Sequence, residues 1–214
     1  MAMAPSVRAR TAAGLALIAV AAAACGSTPA ASGGAAAPAA TGAASATVAS
    51  TPTGPATESN PAGDIPDSQA FVTYAPPGGP YGVEVPEGWA RTASAGGVTF
   101  SDKYNRIVIA VSKASPTDPV AYARSTELAA VRAATNGFAQ DKVSSVRRSA
   151  GEAVLITYRA VSPPNPVTGK VAVEDVERYE FFRGGTEVAL TLAAPVGSDN
   201  VDPWRRVTDS FRWR

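Results

Sequence analysis

The sequence contains no histidine, and its only cysteine is Cys25. Without histidine the chain cannot form a Ser-His-Asp triad, and without a second cysteine it has neither an internal disulfide nor a zinc site of the usual Cys/His type. Three motifs of common enzyme classes are missing as well: Gly-x-Ser-x-Gly, Gly-x-x-x-x-Gly-Lys-Ser/Thr and His-Glu-x-x-His. These absences favour a protein that binds rather than catalyses.

Neither sign of charge is in excess, because the chain has 19 basic and 18 acidic residues. A nucleic-acid-binding domain normally has a basic patch on one face, and a polybasic membrane binder has a cluster of Lys and Arg. No Lys or Arg occurs between Arg10 and Arg91. We therefore predict no nucleic-acid partner.

The first 24 residues have the three parts of a secretory signal. Arg8 and Arg10 supply a positive start, residues 12–24 form an uncharged run, and small alanines stand directly before Cys25. The run is shorter than the about 20 apolar residues that span a bilayer. The sequence thus predicts a signal peptide over residues 1–24.

The alanines at 22–24, followed by Cys25 and Gly26, resemble the lipobox of bacterial lipoproteins, with Ala22 in place of the usual leucine. The resemblance implies a diacylglycerol on the Cys25 sulfur, cleavage before this residue and anchoring at the extracytoplasmic face of the cell membrane. A stable anchor takes two or more acyl chains such as palmitate. The alternative is an ordinary secreted protein that is cut at an Ala-x-Ala site and keeps a free thiol.

Residues 25–75 consist mainly of Ala, Gly, Ser, Thr and Pro. Such a segment has too few bulky apolar side chains to offset the entropy lost on ordering. We therefore predict a disordered tether anchored at Cys25, with a typical reach of about 40 Å. The remaining residues, 76–214, match the size of one ordinary domain.

Apolar residues alternate with a period of two in several runs of this domain, which is typical of half-buried strands. The predicted strands cover residues 81–85, 89–93, 97–101, 107–111, 154–159, 170–182 and 188–193, with a strand ending near 149 and a closing strand at 211–213. The turn at 183–186 joins two of them in an antiparallel hairpin. The alternation slips near Glu174 and Asp175, which predicts a β-bulge there.

Two Asp-Pro pairs signal helices, because Asp is a favoured N-cap and Pro a favoured first helical residue. Asp118 precedes a predicted helix that runs to about Ala134, and Asp202 precedes a second, shorter one. Trp204, Val207 and Phe211 share one face of the second helix. The sequence thus predicts an α+β fold: an antiparallel sheet of about six or more strands with two helices packed on it.

Four segments carry a resemblance to a known family: YGVEVPEGW at 81–89, GVTFSD at 97–102, GEAVLITYRAVSPPNPVTGK at 151–170 and VTDSFRWR at 207–214. Together they resemble the PsbP-like domain, to which mycobacterial lipoproteins of the LpqN/LpqT type are similar as well. The resemblance implies a PsbP-like sandwich over about residues 78–214 and a place in the cell envelope. It implies no catalytic residue and no cofactor, because this fold hosts unrelated functions.

Acidic residues are densest on the predicted strand 170–182. Asp175 and Glu177 would share one face of this strand, and Glu174 and Glu180 the other. Carboxylates on two faces cannot converge on a calcium ion, which needs 6 to 8 oxygen ligands. We expect a solvated edge strand with no metal site, since charge on an edge deters pairing with other chains.

The candidates for contact with a partner or ligand are Trp89, Arg147, Arg148, Pro164 and Asn165. Trp89 belongs either to the core, which is the default for an aromatic side chain, or to a ligand box. The two arginines either dock an anionic headgroup or are surface charges near the acidic strand. Pro164 and Asn165 lie in the loop 162–169, which either contacts a partner or only connects two strands.

The combined signals favour a membrane-anchored binding or accessory module that engages an envelope protein or lipid. One alternative is a carrier that holds an apolar ligand in a cavity between helix and sheet. The other is a hydrolase that works without histidine, through carboxylates or lysine. An enclosed apolar cavity would mark the carrier, and two buried carboxylates facing one cleft would mark the hydrolase.

Overall fold

The protein is described by a computed structural model that covers residues 63–214. The predicted signal peptide, Cys25 and most of the predicted tether lie outside the described residues. No helix within residues 63–214 has the length and hydropathy that a membrane crossing requires.

Ten strands lie in two antiparallel sheets in the described part of the chain. The main sheet has the order β3-β4-β5-β9-β8-β7-β6, with β3 (Ala90–Ser94), β4 (Gly97–Asp102), β5 (Asn105–Ser112), β6 (Ala139–Arg148), β7 (Gly151–Val161), β8 (Val173–Arg183) and β9 (Thr186–Pro195). The small sheet has the order β1-β2-β10, with β1 (Phe71–Tyr74), β2 (Tyr81–Pro86) and β10 (Arg212–Trp213). The predicted α+β class is confirmed.

The period-two alternation explains the long strands. Tyr179 on β8 pairs with Leu190 on β9 and Leu155 on β7, so that these three side chains project from the same face of the sheet. The turn between β8 and β9 is made by Gly184 and Gly185, both with positive φ, a conformation that glycine adopts without steric cost. The predicted hairpin is therefore confirmed.

The helices cover both faces of the main sheet. One continuous helical segment comprises α1 (Pro119–Tyr122), a π-helical turn (Ala123–Glu127) and α2 (Leu128–Ala134), and the second helix is α3 (Val201–Ser210). Asp118 caps α1 as predicted, since its Oδ1 accepts a hydrogen bond from the backbone N of Ala121 at 3.0 Å. The second helix begins at Val201 with Asn200 as its N-cap, so Asp202 is the second residue of the helix and not the N-cap that the sequence predicts.

Each face of the main sheet has its own hydrophobic core. The core on the α3 face joins the small sheet and α3 to β4, β5, β8 and β9, and includes Val83, Ile109, Phe181, Leu190, Val207 and Phe211. The core on the opposite face joins the α1–α2 segment to β7 and β8, and includes Ala123, Val154, Ile156 and Val176. The sheet therefore lies between two layers, and a strand residue can be buried on either face.

The folded domain begins earlier in the chain than residue 76, where we had predicted its start. Ile65 is only 5 % exposed and belongs to the core on the α3 face. Phe71 to Tyr74 form β1, which pairs with β2. A four-residue strand offers too few alternations to be recognised beside a segment rich in Pro and Gly.

Two predictions about the acidic strand are wrong. β8 pairs with β7 and β9 along its length, so it is not an edge strand and has no bulge at Glu174. The bulge lies in β6, between Ala139 and Lys142, where Gln140 has a φ of 56°. The alternation slips at Glu174 because a charged residue occupies a fully buried position.

Candidate functional site

A cleft of about 540 Å³ opens between the main sheet and α3. Its floor is made by β7 and β8, and one wall is made by Trp204 and Arg205 of α3. The lining includes a group of charged and polar side chains: Arg148, Arg159, Asp175, Glu177 and Tyr179. This charged cleft is the candidate site.

Strand register brings the floor residues together. Asp175, Glu177 and Tyr179 occupy alternate positions of β8 and so project from the same face. Glu177 pairs with Thr157 of β7, and Asp175 pairs with Arg159. The α3 helix packs on this face through Trp204, so the helix and the two strands enclose the cleft from two sides.

A fixed chain of hydrogen bonds runs along one side of the charged cleft. Arg148 donates from Nη2 to the hydroxyl of Tyr179 at 2.8 Å and from Nε to Thr208 Oγ1 at 2.9 Å. The Arg148 guanidinium also lies 4.8 Å from the centre of the Tyr179 ring, within cation–π distance. Tyr179 in turn donates to Glu177 Oε2 at 2.7 Å.

The hydroxyl of Tyr179 is a permanent donor. Its burial, together with its hydrogen bond to Glu177, raises the pKa of Tyr179 to about 12. The phenol therefore stays protonated at physiological pH and cannot act as a base there. This side of the cleft is preorganised for binding, since its side chains are held in place before a ligand arrives.

The other side of the cleft carries ion pairs that are open to solvent. Arg159 Nε lies 3.1 Å from Asp175 Oδ1, with the two side chains 41 % and 49 % exposed. Arg205 lies 3.7 Å from Asp209. Exposed pairs of this kind contribute only about 0–1 kcal/mol each. A ligand can therefore replace one partner of such a pair at little cost.

The predicted contact residues separate into three places. Arg148 lines the charged cleft, whereas Arg147 is exposed outside it and lies 3.2 Å from Glu152. Trp89 is half-buried and packs against the core on the α3 face, as the default interpretation predicts. Pro164 and Asn165 line a second, smaller cleft of about 200 Å³ near the β4–β5 turn.

Sequence reasoning did not identify most of the charged cleft. Tyr179 and Arg159 were seen only as members of alternating strands, and Asp175 and Glu177 only as a calcium candidate. The alternation of each strand shows which of its residues share a face, but it does not show which strands are neighbours. The cleft depends on the neighbouring positions of β6, β7 and β8, so the sequence held no local signal for it.

The opposite face of β8 holds a buried charged group around Arg178. Arg178 donates from Nε to Glu180 at 2.8 Å and from Nη2 to Glu127 and Glu187 at 3.3 Å each. One oxygen from each of these three carboxylates lies within 4.8 Å of the others. The guanidinium binds all three carboxylates and so provides the positive charge that a metal ion would otherwise supply.

The prediction that the acidic residues of this strand are solvated is wrong for Glu174 and Glu180, whereas Asp175 and Glu177 are partly exposed. Glu174 and Glu180 are 0 % exposed, and Glu174 pairs with Arg106. Burial raises the pKa of Glu180 to about 7, although Arg178 partly opposes the change. Burial likewise raises the pKa of Glu187.

The charged cleft matches neither alternative function. Among residues 63–214, neither of the two clefts described is lined by a pair of buried carboxylates, the arrangement expected of the hydrolase. The two carboxylates of the charged cleft, Asp175 and Glu177, are partly exposed and engaged with Arg159 and Tyr179. The cleft is open to solvent rather than enclosed, which is unlike the cavity expected of a carrier, and its lining combines polar and apolar surface.

No protein-family model and no curated protein matches the sequence. Among solved structures, the cyanobacterial PsbP protein of Synechocystis is 16 % identical with a TM-score of 0.47, and the match covers 75 % of this chain and 100 % of that one. LpqN of Mycobacterium tuberculosis, described as involved in cell envelope biogenesis, is 19 % identical with a TM-score of 0.40, over 68 % of this chain and 90 % of that one.

A protein from Bacteroides thetaiotaomicron is 13 % identical with a TM-score of 0.42, over 63 % of this chain and 45 % of that one, so this chain spans less than half of its length. The first two of these proteins carry the names of the groups that the sequence resembles.

Proposed function

We propose that the chain is an envelope lipoprotein whose domain binds, without catalysis, a polar ligand or a segment of a partner in the charged cleft. Acyl chains on Cys25 hold the protein at the extracytoplasmic face of the membrane. The partner is an envelope protein or the polar part of an envelope lipid. The lipobox-like sequence before Cys25 supports the anchor, and the architecture of the charged cleft supports binding.

The observation that carries this proposal is the division of the cleft into a fixed and an exchangeable side. The chain from Arg148 through Tyr179 to Glu177 keeps its geometry because each polar group already has a partner. Arg159 and Asp175 are partly exposed and can turn to a ligand. The cleft offers donors and acceptors together, so its occupant must carry both.

Photo-crosslinking in intact cells tests this proposal. A photoreactive amino acid replaces Gln140, which is exposed at the charged cleft, and in a control it replaces Glu152, which is exposed outside the cleft. We expect a discrete adduct with an envelope protein or lipid from position 140 only. Arg159→Gln should weaken this adduct, whereas the matched Arg147→Gln should not.

Two results would contradict the proposed binding function. Identical adducts from positions 140 and 152 would show that contact is not specific to the cleft. The absence of any adduct from position 140, with the protein present at its normal level in the membrane fraction, would show that the cleft has no occupant in the cell.

A further inference from the structure

Exposed large apolar side chains are concentrated at one end of the domain. Seven such residues occur among the described residues, all of them valines, and five lie in or beside the β7–β8 and β9–α3 loops. They are Val167, Val171, Val173, Val196 and Val201, with exposures from 42 % to 90 %. We call this set the valine end. Clustered exposure of apolar side chains commonly marks an interaction surface.

The β7–β8 loop presents one of these valines in a fixed position. Asn165 Oδ1 accepts hydrogen bonds from the backbone N of Val167 and of Thr168, at 3.0 and 2.9 Å. The loop is closed by a bond of 2.8 Å from Asn165 N to Lys170 O. Val167 stands at the tip of this closed loop with its side chain 90 % exposed, and Lys170 is the only charged residue between 162 and 172. The side chain of Asn165 thus serves the loop rather than a partner.

The remaining valines continue this surface toward α3. Val196 donates its backbone N to the carbonyl of Val173 at 2.9 Å, so the two residues are direct neighbours across β9 and β8. Val201 is the first residue of α3 and is 71 % exposed. Valines from three elements therefore face solvent at the same end.

The described chain begins at this same end. Gly63 lies directly against Pro195 and Ser198, so closely that a Cβ atom there would clash with both. The next residue, Asp64, accepts a hydrogen bond from the backbone N of Asp199 at 2.9 Å. The chain that leads back to Cys25 therefore leaves the domain beside Val196 and Val201. An anchor at Cys25 would therefore attach the domain to the membrane by this end.

We propose that the valine end rests on the surface of the lipid bilayer to which the protein is anchored. This inference depends on the proposed anchor at Cys25. The 37 residues from 26 to 62 keep the domain near the membrane covalently, so that even a weak apolar contact is populated through its high effective concentration. Asp64, Asp199 and Asp202 lie beside the valines, so the contact should favour zwitterionic over anionic lipid.

Fluorescence of the anchored full-length protein tests this inference. Val167→Cys is labelled with an environment-sensitive dye, purified from membranes and reconstituted into vesicles of phosphatidylcholine, with or without phosphatidylglycerol. Arg183→Cys is the matched control, because it is exposed at the other end of β8, about 33 Å from Val173 at roughly 3.3 Å per strand residue. We expect a blue shift for position 167 only, and a smaller one with phosphatidylglycerol.

Wild-type protein treated with the same dye separates the two proposals. If Cys25 is acylated, wild-type protein takes up no dye, and a lack of blue shift at position 167 then overturns the bilayer contact alone. Equal blue shifts at positions 167 and 183 would also overturn the bilayer contact. A blue shift in native membranes but none in pure lipid vesicles would overturn it as well, and would indicate that a membrane protein covers the valine end. Labelling of wild-type Cys25 would refute the anchor and this inference with it.

Discussion

Protonation of Glu180 should control how the stability of the domain changes with pH. The pKa of this buried carboxyl is raised from 4.5 to about 7, whereas in the unfolded chain it returns to its ordinary value. Between pH 4.5 and 7 the folded state therefore holds a proton that the unfolded state has released. The contribution of Glu180 to the free energy of unfolding is therefore greatest below pH 4.5 and falls as the pH rises toward 7.

The size of this effect follows from the two pKa values. Each factor of ten in the acid constant corresponds to 1.36 kcal/mol, so the free energy of unfolding should fall by about 3 kcal/mol across this range. Urea titrations of wild-type protein and Glu180→Gln at pH 5, 6, 7 and 8 measure it. The glutamine is a neutral mimic of the protonated acid, so the variant should match wild type near pH 5 and exceed it progressively above that.

A matched control isolates Glu180 from the other titrating groups. Glu152→Gln removes a glutamate whose side chain is 61 % exposed and which lies outside the buried charged group, so it controls for the loss of a surface carboxylate. If Glu180→Gln ran parallel to wild type from pH 5 to 8, the proton would not be linked to folding. The account of the buried charged group given above would then be refuted.

Cys25→Ser should move the protein from the membrane fraction to the soluble fraction, and unchanged fractionation would refute the anchor. Phe211→Ala should lower the free energy of unfolding by about 3–5 kcal/mol, because this ring is 2 % exposed, and denaturant titration would measure the loss. Gly97→Ala should cost about 1–3 kcal/mol, since a Cβ there would clash with the carbonyl oxygen of Ile109. Gly96→Ala has open space around the new methyl group and should leave stability nearly unchanged, so equal losses in both glycine variants would contradict this packing.

The strands and the first helix could be predicted because their signals are local. Period-two alternation around Ile109 and Leu190 depends only on adjacent residues, and the cap at Asp118 depends on a contact three residues away. The pattern also assigned Glu174 and Glu180 to one face of β8 correctly. The alternation could not predict that a helix covers this face of β8, because that packing joins residues far apart in sequence.

The burial of Glu180 had a signal that was overlooked. Arg178 stands two residues earlier on the same strand and therefore projects from the same face, where the two form an ion pair at 2.8 Å. A pair of opposite charges at alternate positions of a strand is compatible with burial, since each member supplies the counter-charge of the other. The charged cleft had no such local signal, because Arg148 and Tyr179 are 31 residues apart in sequence.

The first residues of the domain also determine how a mechanical load would reach it. If the chain is anchored at Cys25 as proposed, tension from the membrane would arrive at Gly63 and pass through the hydrogen bonds from Asp199 N to Asp64 and from Ile65 N to Asn200 Oδ1 before it reached β1. Ser198 and Asn200, in the loop that bears this load, also line the charged cleft. Pulling on the anchor would therefore strain the binding site directly, and an occupant bridging this loop and β8 would brace the domain against the pull.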